Sequence, residues 1–156
     1  MRSLGEILRR VTIGELELAP APYVSRETPL AEVLSQLAAS RRPAVLLRDG
    51  DRLVGIFTQR DILYGAATEG LDPATPIGTL ASGEPRTLAV GQSLAEALDA
   101  MVDGGYRQVP LVDERGQLAG LLSSRDVLVF VAGFFPEETL NLPPRLHQVL
   151  STDHGA

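Results

Sequence analysis

The chain has 156 residues, 44% of them apolar, which is enough to build a continuous core in one domain or in two small packed ones. A formal charge of −6 and a pI near 4.9 set its field against polyphosphate backbones and anionic bilayers, so neither nucleic acid nor membrane is expected as a partner. There is no Cys, all 14 basic residues are Arg, and His147 and His154 both fall in the last ten residues; thiol chemistry, a Schiff-base or P-loop lysine and a histidine base in the body of the chain are thereby excluded.

Residues 1–10 form an N-terminal helical segment, with Leu4, Ile7, Leu8 and Val11 at helical spacing, too short to persist without tertiary contact. The N-terminus, charged at Arg2, Glu6, Arg9 and Arg10, has no apolar h-region, and the longest apolar run, Val127 to Phe135, falls well short of the roughly 20 residues that span a bilayer; a cytoplasmic location is expected. Over 11–67 a short extended stretch near Tyr23 to Ser25 leads to a helix carrying Leu30, Val33, Leu34 and Leu37, with Thr28 as cap and Pro29 in its first turn. Strands at Ala44 to Arg48 and Leu53 to Phe57 are joined by Asp49-Gly50-Asp51, and a helix beginning near Thr58 turns Ile62 and Leu63 inward. After a linker at 68–75, the same order returns over 76–133. An extended stretch at Thr87 to Val90 precedes a helix with Leu94, Ala97, Leu98 and Met101, started by a Ser93/Glu96 capping box. Strands at Val109 to Asp113 and Leu118 to Leu122 turn through Gly116, and a last helix from Ser123 directs Val127 and Leu128 inward. In the tail, 134–156, Phe134 and Phe135 join Phe130 before Pro136, and Leu146, Val149 and Leu150 have helical spacing, consistent with docking on the module itself or on a dimer mate.

The two halves are copies. Thr12-Ile13-Gly14-Glu15-Leu16 is echoed by Pro76-Ile77-Gly78-Thr79-Leu80 at a shift of 64, and Leu53 to Leu63 by Leu118 to Leu128 at a shift of 65. A unit of this size buries too little alone, and the second copy is the natural cover for its sheet. The expected fold is α/β (α+β): two β-α-β-β-α repeats packed sheet to sheet about a pseudo-twofold axis. Two related clefts would open between them, where the last helix of each repeat begins.

At each cleft the chain offers Gly, two apolar residues, a hydroxyl, two residues and then Asp: Gly55 to Asp61, and Gly120 to Asp126. Glycine at a strand end admits close backbone approach, the apolar pair makes a dry wall for a base, and the hydroxyl with the following helix N-terminus suits a phosphate. An ionised Asp one turn into the helix is acceptor-only and can take both hydroxyls of a ribose. Arg60, Arg125 and Arg107 are candidate phosphate partners. The plain alternative is that Thr58 with Asp61, and Ser123 with Asp126, are helix-capping pairs. Asp49, Asp51, Asp113 and Glu114 are read as turn residues, so no metal site is expected.

The pattern resembles the CBS (cystathionine β-synthase) domain family, whose repeats carry a Gly-hydrophobic-x-Thr/Ser-x-x-Asp signature and pair into a Bateman module. The resemblance runs from Thr12 to Gly133 and includes the Val109-Pro110-Leu111-Val112-Asp113 strand. It implies that Asp61 and Asp126 bind ribose, that Thr58 and Ser123 stand near ribose or phosphate, and that Val24, Val45, Ile56, Leu88, Val109, Pro110 and Leu121 form the adenine pockets. The first repeat has Ala44-Val45-Leu46-Leu47 in place of the proline-containing strand, which favours the second repeat's site. The resemblance also implies a stand-alone, non-catalytic energy or metabolite sensor. Such a module would bind AMP, ADP or ATP, alternatively S-adenosylmethionine or NADH, require no cofactor, pair into a homodimeric disk and act on an unknown regulated protein in trans. A scaffold with vestigial sites is the alternative. An enzyme using the two Asp residues is disfavoured, because no activated nucleophile or histidine base accompanies them.

Overall fold

Continuous apolar runs along two hairpins, buried on both faces, generate the frame on which everything else is hung. The computed structural model describes residues 2–68 and 70–134. The elements in chain order are α1 (Leu4–Arg10), β1 (Tyr23–Val24), α2 (Leu30–Ser40), β2 (Ala44–Asp49), β3 (Arg52–Thr58), α3 (Gln59–Thr68), β4 (Leu88–Ala89), α4 (Leu94–Gly104), β5 (Gln108–Val112), β6 (Leu118–Ser123) and α5 (Ser124–Ala132). Single 3₁₀ turns at Ile13–Glu15 and Ile77–Thr79 open the two repeats. Among the described residues no helix is long and apolar enough to cross a membrane.

Each repeat contributes one three-stranded sheet, ordered β1-β2-β3 and β4-β5-β6, in which the short first strand runs parallel to the middle one and the hairpin is antiparallel. Both hairpins slip register at the same place, between Leu47 and Arg48 and between Leu111 and Val112, opposite the glycines Gly55 and Gly120. Strand period sorts the side chains into layers. Val24, Val45, Leu47 and Phe57 face α2 in one core, and Leu88, Val109, Leu111 and Leu122 face α4 in another. Ala44, Leu46 and Ile56 meet Leu121 in a third cluster that joins the two sheets, so the repeats pack sheet to sheet as expected.

The opening segment of each repeat belongs to the other repeat's core. Ile13, fully buried, packs with Leu88 and Leu94, and Ile13 N–H and Gly14 N–H donate to the Gln92 and Val90 carbonyls. Ile77 packs likewise with Leu30 and Val33, with Ile77 N–H and Gly78 N–H donating to the Thr28 and Arg26 carbonyls. This exchange ties the two halves together. It also brings α1 against α4, so the N-terminal helix finds its tertiary contact within its own chain, through Leu8 and Val11.

Three local expectations differ. Thr28 does not cap α2: its hydroxyl accepts from Ser25 N–H (3.2 Å), and Pro29 occupies the cap position without a side-chain bond. Leu63 and Leu128 are exposed, at 72% and 67%, because they follow the inward residues Ile62 and Val127 by one position, a rotation of 100° away from the core. The tail residues from Phe135 onward lie outside the described residues.

Candidate functional site

The first cleft forms where β3 ends and α3 begins, facing the α4–β5 turn of the other repeat. It is a cavity of about 650 Å³ lined by Ile56, Thr58, Arg60 and Asp61 from the first repeat and by Tyr106, Arg107 and Gln108 from the second, with Ser82 and Arg86 from the connection between them. Three guanidinium groups, Arg60, Arg86 and Arg107, share this lining with one carboxylate, so a chain of net charge −6 presents a locally positive opening. Arg60 crosses to the second repeat and donates to the Gly105 carbonyl at 3.3 Å.

Asp61 has two separate duties. Its Oδ2 accepts from Thr58 N–H at 2.8 Å and from the Thr58 hydroxyl at 3.3 Å, closing the start of α3. Its Oδ1 has only a long contact of 3.4 Å with the Ser82 hydroxyl. The capping alternative is thus realised, but it occupies one oxygen and leaves the other directed at Ser82 on the cavity wall. Ser82 itself is held by an antiparallel bridge to the outer edge of β3: Ser82 N–H donates to the Ile56 carbonyl (3.0 Å) and Ile56 N–H to the Ser82 carbonyl (3.3 Å).

The second cleft repeats the cap. Asp126 Oδ2 accepts from Ser123 N–H (2.8 Å) and the Ser123 hydroxyl (2.9 Å), and the Asp126 N–H returns a bond to that hydroxyl (3.2 Å). Here the remaining oxygen is not free. Arg42 donates to the Leu121 carbonyl at 2.9 Å and its guanidinium lies 3.9 Å from Asp126 Oδ1, with only 11% of the side chain exposed. Its Nε is buried without a hydrogen-bond partner among the described residues. The sequence favours the second repeat's site; the open cavity lies at the first.

The structure therefore gathers Thr58, Asp61, Arg60, Arg107 and Ile56 around one cavity, and Ser123, Asp126 and Leu121 around Arg42. Arg125 is exposed and makes no hydrogen bond or ion pair among the described residues. Pro110 is buried and pairs with Leu121 across the second hairpin. The side chains of Val24, Val45, Leu88 and Val109 point away from the clefts into the helix-facing cores, so a ligand would meet only their backbone. Arg42, Ser82, Arg86 and Tyr106 are not singled out by the motif. In the repeat Arg42 stands where the second half has Tyr106, at the shift of 64 that also relates Arg41 to Gly105.

Comparison with known proteins agrees with this geometry. The CBS domain profile matches residues 13–67 and 77–133. An uncharacterized protein of Methanopyrus kandleri is 30% identical over 130 residues, covering 81% of this chain but only 61% of its own length. A CBS domain protein of Pyrobaculum aerophilum, solved in complex with AMP, superposes with a TM-score of 0.70 at 27% identity, covering 79% of this chain and 99% of that one. An uncharacterized conserved protein of Pyrococcus horikoshii shares the fold with a TM-score of 0.72 at 20% identity, covering 82% of this chain and 96% of the other. With both repeats matched by the profile over most of the chain, the chain belongs to the CBS domain family as a tandem pair.

Proposed function

We propose that this pair is a regulatory module that binds an adenosine nucleotide, AMP, ADP or ATP, in the first cleft and passes its occupancy to a partner protein in trans, as an energy sensor of the cytoplasm. The observation that carries the reading is the cavity of about 650 Å³ with three arginines at its wall and an Asp61 oxygen held only by the long 3.4 Å contact from the Ser82 hydroxyl. Its volume falls within the ~300–1,000 Å³ typical of small-molecule sites. The ribose hydroxyls would donate to Asp61 Oδ1, the base would lie along Ile56 and Tyr106, and the phosphate would meet Arg60, Arg86 or Arg107 near the N-terminus of α3. The AMP bound to the Pyrobaculum relative supports the ligand class. Two copies would pair through α3 and α5, where Leu63, Tyr64, Leu128 and Val129 are 61–72% exposed at positions equivalent in the two repeats.

Thermal shift with AMP, ADP, ATP, S-adenosylmethionine and NADH tests the reading, on the wild type and on Asp61→Ala. A ligand at a hundred times its Kd stabilises the folded state by about 2.7 kcal/mol, and Asp61→Ala should abolish that gain. Stabilisation by none of the five compounds would leave a scaffold as the better description.

A further inference from the structure

Duplication supplies two crevices, yet the chain treats them differently. On the first, the edge carbonyl of Ile56 is taken by the N–H of Ser82, and Arg107 stands exposed at the rim. On the second, no backbone segment among the described residues pairs with the edge of β6 in this way, and the equivalent carbonyl, Leu121, accepts from Arg42 across 79 residues of sequence. The same guanidinium reaches toward Asp126 Oδ1, the oxygen that the helix cap leaves over. Arg42 thus spans the two groups, an apolar-strand carbonyl and a spare carboxylate oxygen, between which the first crevice keeps its opening. Arg41 directs it there: this residue ends α2 in the left-handed conformation (φ 56°), turning the chain sharply before β2.

We propose that Arg42 is the residue that decides how many ligands the module holds: it is an internal occupant of the second crevice and confines nucleotide binding to the first. The proposal rests on the nucleotide reading of the first cleft. A ligand entering the second crevice must detach the guanidinium from the Leu121 carbonyl and from Asp126. A single charge-assisted hydrogen bond of this kind is worth about ten- to a hundredfold in an equilibrium constant, so the second crevice should bind more weakly than the first by roughly that factor. Arg42 is a specificity residue by position: its copy, Tyr106, stands 64 residues on as Gly105 does from Arg41, and it lines the first cavity with a neutral side chain that brings no cation to Asp61.

Titration calorimetry of the full chain with AMP tests this. The wild type should bind one equivalent in its first step, Arg42→Ala two of comparable affinity, and Arg42→Ala/Asp126→Ala one again. Persistence of the first equivalent in each variant reports that the fold is intact. Two equal sites in the wild type would overturn the proposal, as would a single equivalent in Arg42→Ala with the first site unchanged; both leave the nucleotide reading standing. No binding by either protein would remove the nucleotide reading and the proposal together. Should Arg42→Ala not fold, Arg42→Gln, which keeps the stem and removes the charge, takes its place: a second equivalent supports the assignment, and a single equivalent with the first site unchanged contradicts it.

Discussion

Replacing Gly55 by alanine probes the contact that shapes the first cleft. A Cβ at this position would lie 2.9 Å from the Ser82 carbonyl oxygen, with Leu47 side-chain atoms at 3.5 and 3.6 Å on the other side. Leu47 is 1% exposed and cannot retreat, and the oxygen is backbone, so the Ser82 segment must move off β3. That movement breaks both hydrogen bonds of the Ile56–Ser82 bridge, at 3.0 and 3.3 Å. Two such bonds contribute about 1 kcal/mol each, and overpacking adds about 1 kcal/mol or more. The reduced freedom of the unfolded chain returns roughly 0.4–1 kcal/mol. The expected net loss is about 2 kcal/mol in urea denaturation, or some 4–8 °C in Tm for a chain of this size. Because Ser82 also lines the cavity, AMP affinity should fall with it. A Gly55→Ala protein as stable as the wild type, with unchanged AMP binding, would show that the bridge neither holds the connection nor shapes the cleft.

Other consequences are independent of that contact. Arg41→Gly should stabilise the chain by up to about 1 kcal/mol in the same assay, since Arg41 adopts φ 56° where the second repeat has Gly105 at φ 67°, and a side chain in this region costs about 1–2 kcal/mol before unfolded-state entropy is counted. Glu15 accepts from the Thr12 backbone N–H at 2.6 Å and from the Thr12 hydroxyl at 3.0 Å, and these bonds hold its carboxyl below the ordinary 4.5. Its stabilising contribution is therefore full above 4.5 and is lost as pH falls through the lowered value. In an NMR titration Thr12→Ala should raise the Glu15 midpoint only part of the way back, because the backbone bond is the larger cause; a complete return would assign the effect to the hydroxyl. Leu63→Arg with Leu128→Arg should convert the sedimenting species to monomer without lowering monomer stability by more than about 0.5 kcal/mol, both positions being exposed. A wild type that sediments as a monomer would remove the proposed pairing.

The duplicated order of elements could be read from the sequence because its signals are local and occur twice: the Ser93/Glu96 capping box, the Gly50 and Gly116 turns, and the register of the two Gly-to-Asp segments. What a strand faces could not. Val45 and Leu46 are both fully buried, so alternation distinguishes two faces without saying which one meets the opposite sheet, or that the side chains of Val24, Val45, Leu88 and Val109 fall on the helix side. The exchange of Ile13 and Ile77 between cores is hidden for the same reason, since each residue would be equally apolar in either repeat. The inequality of the clefts rests on Arg42 and Ser82, whose partners lie 79 and 26 residues away, beyond the reach of any local pattern.

The most direct measurement is a crystal structure of the full chain grown with AMP. The nucleotide should occupy the first cleft, with its ribose hydroxyls donating to Asp61 Oδ1 while Oδ2 retains the Thr58 cap, and with its phosphate among Arg60, Arg86 and Arg107. A nucleotide bound elsewhere, or one whose ribose leaves Asp61 untouched, would contradict the assignment of this cleft as the sensing site.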